Sequence, residues 1–471
     1  MVRIARIKRV LGTALLLVCL IGVALLGSPQ LVARASAKTA SITLSPTSGP
    51  PTTRVTVQGT GFGPKEQIVI TLDNNPVGKG KTNKQGNFTA KFTVPKDYGP
   101  GPTPVQATGQ SSGLTAQATF TINTDWPSSG FDAQNTRDNI YENVLNPSDA
   151  QFLVLNWSYK QGKRAVGTTS VVNGILYLGG GGTLQALNAQ TGKLIWKSNL
   201  TIYETAVANG IVYGGSRDGN LYAVNAQTGA TLWSYSTGGV YLEAPPTVVN
   251  GVVYIGNLGI YAVNAQTGAL IWKYPTEMVY GEPSVVNGVV YFGSLDKNLY
   301  ALDAQTGNLI WKYTTGIVYS SPSVVNGVVY FGAGDNVDAF NARTGAPIWS
   351  YKTGYIVASS PAVANGIVYI GSFDQNLYAL NAQTGAVLWQ YNTGKIIDFY
   401  SSPLVANGVV YVGASLGKQG SFFAFDAQKG TLLWSYSGAG NWVGYPIVTN
   451  GFFYLGINKV LYAFSLPGLK R

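Results

Sequence analysis

An all-β chain is what the sequence predicts, and three observations carry the prediction. Charged residues make up only 11% of the 471 residues, while glycine (59) and tyrosine (29) are abundant. That balance suits strands and tight turns rather than helices, which are normally rich in Glu, Lys and Ala. A phrase of the type Asn-Ala-Gln-Thr-Gly-Ala-Val-Leu-Trp recurs, ending at Trp196, Trp233, Trp272, Trp311, Trp349, Trp389 and Trp434. The dipeptide Asn-Gly starts at Asn173, Asn209, Asn250, Asn287, Asn326, Asn365, Asn407 and Asn450, and it suits the two positive φ angles of a type I′ hairpin.

Each repeat reads as four antiparallel strands. A segment ending in Val-Val meets Asn-Gly, and a strand such as "VVYFG" returns. A short polar loop leads to a strand such as "LYALD", and the "AQTG" turn leads into the tryptophan strand. One further tryptophan strand, around Trp157, precedes the first hairpin, whereas the last hairpin unit ends at "LYAFSLPG" without one. Pairing the two closes a circle and removes both exposed sheet edges. The count predicts an eight-bladed β-propeller over residues 150–471, closed by its own N-terminal strand.

The chain before the ring divides in three. Four basic residues precede an apolar run from Val10 to Leu26, and "ARASA" follows, the pattern of a secretory signal cleaved after Ala37. The alternative is an uncleaved anchor, the run being near the lower length limit for a span. Either places the protein outside the cytoplasm, secreted or at the cell surface. Cys19, the one cysteine, lies in that run, so a cleaved chain forms no internal disulfide. Residues 38–124 alternate apolar and polar side chains between Gly, Pro and Asn-Asn turns, as a β-sandwich requires. The opening "SPTSGPPTTRVTVQGTGF" and the hairpin "GNFTAKFTVP" resemble the Ig-like, IPT/TIG-type modules of secreted bacterial proteins. That resemblance implies a spacer or an adhesion module. Residues 125–149 form a lead-in to the ring.

Charge excludes one class of partner. Of the net +11, five basic residues lie before Thr39 outside the module and eight basic against three acidic lie in 38–124. The remainder, with eighteen basic and seventeen acidic residues, is close to neutral, so no clustered basic face for nucleic acid is expected. Histidine is absent, which removes the commonest general base and metal ligand.

Ala, Gly and Trp recur at offsets of zero, six and ten, as in Ala301, Gly307, Trp311 and Ala379, Gly385, Trp389. This resembles the tryptophan-docking motif of the pyrroloquinoline quinone (PQQ) repeat family, and "DWPSSGFDAQNTRDN" resembles the segment entering such propellers. Together they cover about 345 residues. The resemblance implies that Trp157, Trp196, Trp233, Trp272, Trp311, Trp349, Trp389 and Trp434 are structural. It also implies one of two functions: a dehydrogenase holding PQQ and Ca²⁺ in the funnel, or a protein-binding scaffold like the outer-membrane assembly member. The dehydrogenases commonly use a vicinal disulfide and long inserted loops; here the cysteines are missing and the largest departure, "ASLGKQGSFF", adds only a few residues. A non-catalytic binding scaffold without cofactor is therefore the leading expectation. A PQQ-dependent alcohol or sugar dehydrogenase is the alternative, and a carbohydrate-binding adhesin the second.

Binding is expected where the inner strands begin. Five residues before each hairpin Asn stand Thr168, Glu204, Pro245, Glu282, Ser321, Ser360, Ser402 and Tyr445, with Glu243 two residues off this register. Glu204, Glu243 and Glu282 are the candidate metal ligands, since hard oxygens suit Ca²⁺; solvated loop carboxylates are the alternative. Tyr280, Tyr319, Tyr400, Trp442 and Tyr445 form a candidate rim able to stack on sugars or grip a peptide, or else fill space between blades. Asp218, Asp296 and Asp374 recur in the polar loop and read as turn formers. Departures from the repeat, where function would be written, include Arg164, Glu204, Glu243, Glu282, Asn441, Trp442 and Tyr445. A monomer binding a protein, peptide or cell-wall polysaccharide at the funnel is expected, with membrane contact only through an uncleaved N-terminus.

Overall fold

Alternation sorts the strands of residues 41–122 into two sheets facing one core. In Arg54–Thr60, Val55 and Val57 are buried while Arg54, Gln58 and Thr60 face solvent. This strand pairs with Ser41–Ser45 and Phe88–Thr93, and the opposing sheet runs Ser48–Gly49, Thr115–Ile122, Gly101–Gly109, Gln67–Leu72, Asn75–Lys81. Val55 and Phe92 from one sheet pack with Ile70, Val105 and Phe120 from the other, which is sandwich packing. The computed structural model describes residues 39–162, 169–180, 183–238, 241–440 and 442–469. Residues 1–38, with Cys19 and Ala37, and the residues Arg164, Thr168 and Asn441, lie outside them.

From Thr169 to Ser465 the described strands form eight successive antiparallel sheets. Most have four strands. The third has three, because Val252–Asn264 runs through two strand positions. The bend falls at Gly259, φ 107°, where a Cβ would lie 2.2 Å from the Tyr274 carbonyl oxygen. The innermost strands touch one another in order from Thr169–Val172 to Leu404–Ala406, and Thr169–Val172 also touches Ile447–Thr449 of the last sheet. The ring closes as the count required: Val154–Lys160 pairs antiparallel with Val460–Ser465, Trp157 standing opposite Ala463. All eight Asn-Gly pairs have positive φ at both residues, so hairpin chemistry and the unpaired strand together close a β-propeller.

The tryptophan joins neighbouring sheets. Trp272 Nε1 donates to the Ala304 carbonyl at 2.9 Å. Its ring covers Gly307 so closely that a Cβ there would lie 2.7 Å from the indole. Trp157, Trp196, Trp233, Trp311, Trp349 and Trp389 repeat both contacts on the following sheet. Trp434 differs. Its successor strand ends in "FSLPG" with no such turn, and the indole meets Phe453 and Phe464 edge-on at 5.8 and 5.0 Å. The turn itself is held by its first residue: Asn225 Oδ1 accepts from the backbone N–H groups of Gln227 and Thr228 and from the Thr228 hydroxyl, an Asx turn.

Candidate binding site at the loop end of the ring

The lead-in crosses the ring at its hairpin end. Its backbone carbonyls accept hydrogen bonds from the N–H groups of Val171, Val207, Val285, Val324, Val363 and Val405, each two residues before an Asn-Gly turn, and the Trp126 N–H also donates to the Val171 carbonyl. Asn139 Nδ2 then reaches the Val448 carbonyl at 2.9 Å. Inner strands have one unpaired edge, and a buried N–H or C=O left without a partner is costly. The lead-in supplies those partners and occupies that end of the channel.

Above it, the residues at the inner-strand starts form a relay. The Glu282 N–H donates to Ser321 Oγ at 2.8 Å, Ser321 N–H to Ser360 Oγ at 2.9 Å, and Ser360 N–H to Ser402 Oγ at 2.8 Å. Arg137 of the lead-in points into this layer with 1% of its surface exposed. It donates to the Ser129 carbonyl and lies 5.0 Å from the Tyr445 ring. Glu282 is fully buried. Burial pushes its pKa up to about 8, against the pull of the Arg137 guanidinium and of the nearby Ser128 hydroxyl and Gly130 backbone N–H.

At the opposite end the loops open into a cavity of about 450 Å³ lined by Glu243, Tyr280, Tyr319, Ile356, Ala358, Phe373 and Tyr400. Tyr280 and Tyr319 stack at 6.3 Å with an interplanar angle of 30°. Tyr400 contacts Trp442 at 5.6 Å and meets Tyr445 edge-on at 6.4 Å. A single turn, Phe399–Ser401, positions Tyr400: Asp398 accepts from Tyr400 N–H and the Ser401 hydroxyl, which in turn accepts from Asp398 N–H, a reciprocal cap. The Tyr400 phenol is held far above its ordinary range by burial and then by the charges of Glu243, Glu204 and Asp398.

The five rim aromatics thus converge, with Tyr445 as a buried floor between the cavity and Arg137. The three glutamates do not form one ligand set. Glu204 is buried in a strand beside Tyr445, Glu282 lies beneath with Arg137, and only Glu243 lines the cavity. Among the described residues no group of three or more Cys, Asp or Glu is placed to hold a metal ion. Asp218, Asp296 and Asp374 each accept from a backbone N–H two residues on and from a tyrosine hydroxyl, which is turn chemistry. Sequence reasoning missed Arg137, Ile356 and Phe373; Phe373 sits one residue before the recurring Asp374, and that position was its one visible signal.

A family model described as outer membrane protein assembly factor BamB matches residues 180–259 and 256–465. The chain belongs to that family. No curated protein matches it. Among solved structures, BamB from Moraxella catarrhalis has 20% identity and a TM-score of 0.56, covering 68% of this chain and 99% of its own. The quinohemoprotein alcohol dehydrogenase ADHIIG from Pseudomonas putida HK5 has 18% identity and a TM-score of 0.61, over 74% of this chain and 81% of its own. A europium-containing methanol dehydrogenase has 15% identity and a TM-score of 0.61, over 73% and 98%. At such identities the likeness is one of fold, so the function of this BamB-family ring rests on its own side chains.

Glu282 gives the ring a definite pH response. A carboxyl that binds its proton more tightly folded than unfolded contributes stability present in full below the unfolded pKa and lost as pH rises through the folded one. That decline therefore falls between the ordinary value of 4.5 and about 8. Glu282→Gln is expected to match the parent near about pH 3.5 and to exceed it near about pH 9. Thermal melts across that range check it; an unchanged pH slope would contradict the assignment.

Proposed function

We propose that this chain is a secreted or cell-surface, non-catalytic, eight-bladed propeller that serves as a binding scaffold. In this reading residues 1–37 are a signal peptide, 38–124 an Ig-like spacer, 125–149 the lead-in and 150–471 the ring. The observation that carries it is the asymmetry of the channel. The lead-in fills the hairpin end, while the loop end presents an aromatic cavity whose one charged lining residue is Glu243.

The chemistry of that cavity bears on the PQQ alternative. PQQ is a polycarboxylate, and a site for it needs basic groups or a metal to offset the anion. The lining has neither lysine nor arginine, and the nearby carboxylates already raise the Tyr400 phenol. The residues present do not fit that group.

Calorimetric titration of the full chain with PQQ, with and without Ca²⁺, is expected to show no saturable heat. Immobilised protein is expected to retain a protein partner from cell-envelope extract, and to lose it when Tyr319 and Tyr400 are both changed to Ala. One-equivalent, calcium-dependent PQQ binding would overturn the scaffold reading in favour of the dehydrogenase.

A further inference from the structure

We propose that the loop-end cavity binds an alkylammonium group. This deepens the scaffold reading and rests on it, naming the chemistry by which the open face recognises what it holds. The walls are Tyr280, Tyr319, Phe373 and Tyr400, and the charge is Glu243. Aromatic faces carry negative quadrupole density and attract a cation within about 6 Å, most strongly when water is excluded.

Glu243 is half-buried and makes no hydrogen bond or ion pair with any described residue. A half-buried carboxylate beside aromatic walls has free acceptor capacity for a cation that enters the cavity. The neighbouring cations are engaged elsewhere. Arg217 lies over Tyr203 and Tyr241 at 5.0 and 5.8 Å, and Arg137 is buried behind Tyr445. Lys273 over Tyr261 at 4.9 Å shows the same pairing again outside the cavity.

Shape and sign agree. The cavity, about 450 Å³, accommodates an ammonium group with a short chain, such as a lysine side chain or a choline. A neutral group of the same shape gains only the apolar contact, and an anion is repelled by Glu243 and by the Glu204 and Asp398 charges that also act on Tyr400.

The test uses the full chain and three probes in calorimetric titration: choline, its neutral tert-butyl isostere, and Nα-acetyl-lysine amide. Saturable binding of at least one cation is expected, with the isostere weaker by roughly tenfold or more. Glu243→Gln is expected to weaken the cation about fivefold or more, and Tyr319→Leu by a similar factor, with melting temperatures near that of the parent. Choline binding tighter than the lysine amide would identify a quaternary ammonium as the source; the reverse would identify a peptide side chain. Equal affinity for choline and its isostere, unchanged binding in folded Glu243→Gln, or no binding of either cation would overturn the proposal. Partner retention scored on the same preparations keeps the two readings separate. A partner retained without ammonium binding sinks this inference alone, whereas loss of both sinks the scaffold reading as well.

Discussion

Gly307→Ala is expected to lower the free energy of unfolding by about 3 kcal/mol, from two independent penalties. The residue has φ 73°, where a Cβ costs about 1–2 kcal/mol against its own carbonyl. That Cβ would also lie 2.7 Å from the Trp272 indole. Trp272 cannot readily withdraw, because it is 8% exposed and its Nε1 is bonded to the Ala304 carbonyl of the same turn. Overpacking of this kind costs about 1–3 kcal/mol. Gly327→Ala separates the two terms. It has φ 77° at an Asn-Gly turn, and nothing lies within 4 Å of the added Cβ, so only the backbone penalty of about 1–2 kcal/mol is expected there. Urea unfolding of both variants measures the difference, which is the cost of crowding the Trp272 indole at one seam. Equal losses would mean that the tryptophan yields without cost.

Asn139→Ala is expected to cost about 2–4 kcal/mol and to loosen the lead-in from the hairpin end of the channel. The side chain is fully buried. Its Nδ2 donates to the Thr124 and Val448 carbonyls, each at 2.9 Å, and its Oδ1 accepts from the Tyr141 and Glu142 N–H groups, each at 3.2 Å. The Thr124 carbonyl keeps a second donor, the Thr449 hydroxyl at 2.7 Å. The Glu142 N–H likewise keeps the Asn139 backbone carbonyl at 3.2 Å, so the loss falls on the Val448 carbonyl and the part-buried Tyr141 N–H. A buried group left without its partner costs about 1–3 kcal/mol before relaxation. Limited proteolysis gives the specific readout: cleavage between Thr124 and Asp149 should accelerate in the variant before global unfolding begins. Uniform destabilisation with no new cleavage would show that Asn139 is not what holds the segment.

Part of the candidate site was legible from register alone. Counting back from each hairpin Asn located the inner-strand starts, and Tyr280, Tyr319, Tyr400 and Tyr445 converge because each occupies the same loop in a different repeat. Phe373 and Ile356 were not legible that way. They reach the cavity from a polar loop and from a position four residues before Ser360 (Ile356), and no single-repeat pattern marks them. Arg137 was hidden for a different reason. The lead-in has no period, so nothing in it announces that a guanidinium ends 5.0 Å from a ring 308 positions away in the numbering.

The sequence by itself determined what depends on local geometry or on counting. Asn-Gly dictates its own φ angles, the Ala, Gly and Trp offsets repeat within one turn, and an unpaired first strand answers an incomplete last sheet. Tertiary structure decided burial and charge, which depend on segments far apart in the chain. Glu204 and Glu282 share one register and Glu243 lies two residues off it, yet the lead-in buries Glu282 beside Arg137, Glu204 is buried in its strand, and of the three only Glu243 lines the open cavity. Trp434 carries the same phrase as its six counterparts, but the strand that follows lacks the turn on which the others dock. A repeat specifies its own turns; whether a carboxylate meets water, an arginine or an aromatic wall is set by neighbours the repeat does not encode.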